Sequence, residues 1–178
     1  MTTDPESSTD PDFWKNKFFE WKNRADKHYA AIGIVTANWS YFEAVLDTWI
    51  HHFADTSPDV GVCLTSQISG SARKIDALIA LIRLRGISDP SPDEFDAFSK
   101  KTISIAENRN RVAHDWWDLS DPDFPSRLMA MARKKLILRM EKVSTEQLNH
   151  LAGDIMNLKN ELESMCQKSS HAWRPRPP

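Results

Sequence analysis

Residues 91–117 read SPDEFDAFSKKTISIAENRNRVAHDWW. Ser91 is a good helix N-cap, Pro92 suits the first helical position, where its missing N–H costs nothing, and Glu94 stands where a capping box needs it. No glycine or further proline follows until Pro122, so a helix is expected from Ser91 to about Trp117, before the breakers of residues 120–125 (SDPDFP). At 100° per residue, Phe95, Phe98, Thr102, Ile105, Ala106, Ala113 and Trp116 share one face. A long, well-capped helix with one apolar face favours a helical bundle.

On either side of this helix the spacing agrees. A first helical region is expected over residues 12–53, with a bend near Gly33, because Trp39, Phe42, Leu46, Trp49, Ile50 and Phe53 recur every three and four positions. A second helix is set by Ile68, Ala72, Ile75, Leu78, Ile79 and Ile82; it is expected to open at Ser69 or Ser71 and to stop at Gly86. Residues 127–143 alternate instead, and 133–135 make a plausible turn, so a small hairpin is expected there. Ser144 and Gln147 form another capping box, and Leu148, Leu151, Ile155, Leu158, Leu162 and Met165 then mark a last amphipathic helix to about Gln167. The expected fold is mainly α: an up-and-down bundle of four to five helices with a small β-hairpin before the last. Residues 12–168 would form the packed domain. Residues 1–11 and 169–178 are too polar or proline-rich to repay ordering and are expected to be disordered ends.

The chain has 178 residues, 40% of them hydrophobic and 27% charged, with only five glycines. That composition suits a globular helical domain rather than a many-stranded sheet. There is no apolar run long enough to span a bilayer, and the acidic start lacks the basic flank and apolar core of a signal peptide, so a cytoplasmic location without membrane contact is expected. Cys63 and Cys166 belong to no CxxC or Cys/His cluster, and neither a disulfide framework nor a structural metal is expected. The net charge of −2 gives no general attraction to a nucleic-acid backbone, so any RNA contact must be local.

The chemistry concentrates at the end of the third helix. Arg109 falls within the apolar stripe, where a guanidinium costs several kcal/mol, on the order of the buried-charge penalty, unless it meets a carboxylate or an anion. Glu43 occupies a comparable place at the margin of the first helix's stripe and is the leading candidate to pair with it. Asn110 and His114, four apart, share the neighbouring edge, with Asp118 one turn further on. A plain buried ion pair accounts for Arg109 and Glu43 as well as a functional site does.

The string Arg109-Asn110-x-x-x-His114 resembles the signature of the HEPN superfamily (higher eukaryote and prokaryote nucleotide-binding domains): an arginine, four to six residues, then a histidine, often with Asn, Asp or His directly after the arginine. That family is a small helical bundle with the motif toward the end of a long helix. The resemblance implies a metal-independent endoribonuclease, a toxin or defence effector, working without a cofactor as a homodimer whose motif helices meet across the two-fold axis. Arg109, Asn110 and His114 would be catalytic, with Glu43, Asp115 and Asp118 in support. Histidine would move a proton at the ribose 2'-hydroxyl or the leaving oxygen while arginine clamps the phosphate. The dimer is expected to use the face bearing Ile103, Asn110, His114 and Trp117. The alternative is a non-catalytic HEPN-like binding or dimerisation module. Two features depart from the toxin branch: Trp116 replaces the tyrosine that is adenylylated there, and the hairpin is an addition that fits an uncharacterised bacterial branch. No antitoxin or operon partner is named by the sequence.

Other clusters are weaker. Asp47, His51 and Asp55 recur every four residues, but three ligands along a straight helix span too much length for one ion. Arg133, Lys134 and Lys135, with Arg127 and Arg139, form a basic patch that could meet RNA phosphates or simply face water. There is no glycine-rich phosphate loop, nucleophile elbow or HExxH.

Overall fold

The computed structural model describes residues 11–121, 123–133 and 135–173. Five helices, α1 (Pro11–Ala54), α2 (Pro58–Thr65), α3 (Ser71–Leu84), α4 (Pro92–His114) and α5 (Thr145–Ala172), enclose one core, and a small antiparallel sheet lies between α4 and α5. Its strands are β1 (Trp116–Asp118), β2 (Ser126–Arg133) and β3 (Lys135–Lys142), in the order β1-β2-β3. Of the end segments, residues 1–10 and 174–178 lie outside the described residues. No described helix is long and apolar enough to cross a membrane.

The long helices α1 and α5 run parallel. Asn38 donates to the Ala152 carbonyl at 3.1 Å, His28 shares a hydrogen bond with Thr145, and His52 shares one with Ser170, so the two rise in the same direction. The helix α4 runs against α1, with Arg109 beside Trp39 and Trp117 beside His28. The apolar stripes read from sequence face inward: Val35, Trp39, Phe42, Leu46 and Phe53 of α1 meet Leu148, Ile155, Leu158 and Leu162 of α5, with Phe95 and Phe98 of α4. Both capping boxes form, Ser91 with Glu94 and Ser144 with Gln147. The chain turns after α3 at Gly86, whose φ of 69° lets the Ile87 N–H reach the Ile82 carbonyl.

Several expectations need correction. The helix α1 is unbroken through Gly33. An extra short helix, α2, fills residues 58–65; Gly61 lets it approach α1, since a Cβ there would collide with the His51 ring. The residue before α3 is Gly70 rather than a capping serine. The helix α4 ends at His114, not Trp117: Asp115 turns extended, with ψ of 150°, and Trp116 to Asp118 pair with β2. Strand alternation then sends Trp117 inward, where its Nε1 donates to the Val112 carbonyl, and leaves Trp116 exposed. The helix α5 continues past Gln167 to Ala172 with Ser169 fully buried, so part of the expected disordered tail is packed.

The hairpin is present as read. Its register sets Arg133 opposite Lys135, Arg127 opposite Glu141 and Leu128 opposite Met140.

Candidate functional site

The last two turns of α4 carry the motif. Helical geometry places Asn110 and His114 within 40° of one another on the same edge, and Arg109 a further 100° round, toward α1. Arg109 is half-buried, with its guanidinium 5.9 Å from the Trp39 ring centre. Its Nη1 donates to Asn110 Oδ1 at 3.2 Å, which bends the cation toward the Asn110 edge. Its Nε is buried with no hydrogen-bond partner. Among the described residues no ion pair joins Arg109 to Glu43 or to any other carboxylate. The expected pair fails because of helix register: Trp39 stands opposite Arg109, and α4 runs antiparallel, so Glu43 lies one turn away, toward Ile105. Glu43 is half-buried.

His114 closes α4 and is exposed, as is Asn110. Asp115, the C-cap, keeps one buried carboxylate oxygen, Oδ2, without a partner. Asp118 is occupied otherwise: its Oδ1 accepts the Ser120 N–H at 2.9 Å, and the side-chain and backbone hydrogen bonds of Ser120 hold its carboxyl below the usual range. Arg109 thus meets Asn110, whose helix edge also bears His114, while Asp118 is held by Ser120 and Glu43 forms no ion pair with Arg109. Of the expected dimer face, Ile103, Asn110 and His114 are exposed, whereas Trp117 packs inward against His28.

A second cleft, unforeseen from sequence, opens on the opposite flank of α4. It is about 310 Å³ and is lined by Asn108 and Val112 of α4, Arg127 and Glu141 of the sheet, and His150 and Asp154 of α5. Arg127 is buried, and its Nε and Nη2 both donate to Glu141 Oε2, at 3.1 and 2.8 Å. The Arg127 hydrogen bond and charge hold the Glu141 carboxyl below its ordinary range. This removes Arg127 from the basic patch read in the sequence. Lys134 of that patch lies outside the described residues.

The carboxylate and histidine row does not form a site: Asp55 lies past the end of α1 and is exposed, and the other two are engaged elsewhere. Asp47 pairs with Lys74 at 2.8 Å and His51 shares a hydrogen bond with Thr65. Among the described residues no group of three or more His, Cys, Asp or Glu is arranged to hold a metal ion.

Comparison with known proteins adds no relative: no family model, no curated protein and no solved structure matches this chain.

Proposed function

We propose that the chain is a HEPN-like endoribonuclease that cleaves RNA through its own 2'-hydroxyl, with Arg109, Asn110 and His114 as the catalytic group. The observation that carries the reading is the unneutralised cation. Arg109 sits half-buried on Trp39 with no carboxylate among the described residues, and its Nη1 is drawn to Asn110 on the edge that bears His114. A charge in that position is best satisfied by an anion from outside, and a phosphodiester supplies one. His114 is accessible to a ribose hydroxyl and can take or deliver a proton there, while the guanidinium stabilises charge building on the phosphorus oxygens. The expected products are a 2',3'-cyclic phosphate and a 5'-hydroxyl. A homodimer through the Ile103, Asn110 and His114 face would set two such groups side by side and give the strand a longer cleft.

One observation favours a second reading, a HEPN-like module that binds an anion without cutting. No described residue hydrogen-bonds His114, and acid–base catalysis works best when the imidazole is oriented by a partner. Asp115, next in the chain, has an unused buried oxygen but does not meet it.

The test is incubation of the purified protein with mixed single-stranded RNA in EDTA. Cleavage is expected, and it should fall by about a hundredfold or more in His114→Ala, the usual contribution of a general acid–base group. Arg109→Met should lose RNA binding and cleavage together. Binding that needs Arg109 while no cleavage occurs would establish the module instead. Cleavage that survives His114→Ala would end the mechanism.

A further inference from the structure

The 310 Å³ cleft between α4, the sheet and α5 has polar groups that the fold leaves unused. Arg127 spends Nε and Nη2 on Glu141 Oε2, but its Nη1 is neither hydrogen-bonded nor sealed from solvent, so it opens to the cleft that the residue lines. Glu141 keeps Oε1 without a hydrogen bond, and its side chain is 41% exposed. The side chains of Asn108 on α4 and Asp154 on α5 are exposed and meet no partner among the described residues. Val112, Leu148 and Leu151 supply apolar wall between them. A buried ion pair thus holds one donor and one acceptor side by side at the cleft, with a further donor on one helix and a further acceptor on the other.

The lining decides what class of ligand fits. One guanidinium stands against two carboxylates, so a phosphate gains nothing inside the cleft, and the open Nη1 opposes a cation. An uncharged group that presents both donors and acceptors beside apolar surface remains, and the volume lies at the small end of the range for ligand sites, about 300–1,000 Å³. A nucleobase has that character, since it offers an apolar face and a hydrogen-bonding edge. Among the bases, guanine alone sets two donors, N1–H and the 2-amino group, beside two acceptors, O6 and N7. Along its edge they run N7, O6, N1, 2-amino. The cleft offers donor, donor, acceptor, acceptor in chain order: Asn108 on α4, Arg127 on β2, Glu141 on β3 and Asp154 on α5, with β2 between β1, which follows α4, and β3, which leads into α5.

We propose that this cleft is a guanine-binding subsite, in which Glu141 and Asp154 accept from N1–H and the 2-amino group while Arg127 Nη1 and the Asn108 amide donate to O6 and N7. The Arg127–Glu141 pair is the fixed element, because each side chain locks the other before a base arrives. The place of the cleft on α4 links it to the motif. At 100° per residue Arg111 falls about 60° round the helix from Asn108, and His114 about 60° further the same way. Arg111 makes no ion pair among the described residues; its Nη1 donates only to Met129 Sδ, at 2.9 Å. A strand whose guanine enters the cleft therefore passes a free guanidinium, suited to its phosphate, before it reaches His114. That the base belongs to an RNA strand rests on the ribonuclease reading; the base site itself stands on the cleft alone.

The test is titration calorimetry of the full chain with nucleoside monophosphates. GMP should bind about tenfold or more tighter than AMP, CMP or UMP, the worth of one hydrogen bond to a charged group. IMP, which lacks only the 2-amino group of GMP, should bind more weakly than GMP. Asn108→Ala and Asp154→Ala, both at exposed positions, should each weaken GMP about tenfold with the helical circular dichroism unchanged. GMP bound no better than the other nucleotides overturns the proposal, as does its displacement by inorganic phosphate at equal concentration, which would mean that only the phosphate is held. GMP binding that ignores both alanine variants also overturns it. Cleavage of RNA in EDTA is scored separately: GMP selectivity without cleavage upholds the cleft and ends the ribonuclease reading, whereas cleavage without GMP selectivity ends the cleft proposal alone.

Discussion

His28 and His114 show how little a residue's type decides by itself. His114 ends α4 in the open, whereas His28 is fully buried, 5.0 Å from the Trp117 ring and edge-on to it, with Nδ1 on the Thr145 hydroxyl and Nε2 without a partner. Burial lowers the His28 pKa from its ordinary value near 6.5, so the folded protein holds this imidazole neutral where the unfolded chain already binds a proton. Stability from this site is therefore complete above the ordinary value, falls as pH drops through the window beneath it, and levels off below the folded value. Denaturant midpoints measured from pH 7.5 downward should decline across that window, and His28→Gln should flatten the decline even if it lowers stability throughout. An undiminished slope in His28→Gln would place the effect elsewhere. Residue scale is also where sequence reading reached its limit at Arg109. Its position in an apolar stripe, and its need for a partner, were legible from 100° steps. That Glu43 would miss it was not, because the register between α1 and α4 is fixed by the whole core rather than by either helix.

At the scale of elements, the local signals were sufficient where they were strong. Both capping boxes, the Gly86 stop and the hairpin stood in the sequence and formed. The boundary at His114 did not, because nothing between Ala113 and Trp117 breaks a helix; β1 exists only because β2 is there to pair with it. α2 was missed since eight residues are too few to show a period. The Arg127–Glu141 pair was within reach: once Arg133 is set opposite Lys135, counting six residues outward along each strand brings Arg127 opposite Glu141. This pair yields an asymmetric prediction. Glu141→Gln leaves a buried guanidinium without its counter-charge and should cost about 1–2 kcal/mol, reduced from the buried-pair range because the Glu141 side chain is 41% exposed. Replacing both, Arg127→Met with Glu141→Leu, should cost less than Glu141→Gln alone in the same denaturant titration. Because Arg127 holds the Glu141 carboxyl below its ordinary value near 4.5, the pair's contribution is whole above that value and is lost only as pH falls through the folded one, a more acidic window than that of His28.

For the molecule as a whole, the two ends of the bundle are built differently. At the end that carries the motif, the start of α1 is tied to the segment before β2, with Trp21 Nε1 donating to the Ser120 carbonyl and Arg24 paired with Asp123. The other end is tied shut by Trp173, just beyond α5. Its ring lies 5.2 Å from His52 and 6.0 Å from Phe53 of α1, and the Arg85 guanidinium sits 4.9 Å above it while Arg85 Nε donates to the Phe53 carbonyl at 2.9 Å. One side chain thus joins the C-terminal ends of α1, α3 and α5. No periodic signal marks Trp173, because it follows Ser169-Ser170-His171-Ala172 and precedes a stretch of arginine and proline, a composition that reads as tail. Trp173→Ala should therefore lower stability by about 2–3 kcal/mol, somewhat under the cost of deleting a fully buried aromatic since the ring is half-buried. The check is a urea titration read by far-UV circular dichroism: the midpoint should fall with the slope unchanged, as for loss of contacts in a cooperative domain. A midpoint within experimental error of the parent would mean that the closed end holds without Trp173. A lower slope would mean that α5 has detached from α1 there while the rest of the bundle stays folded.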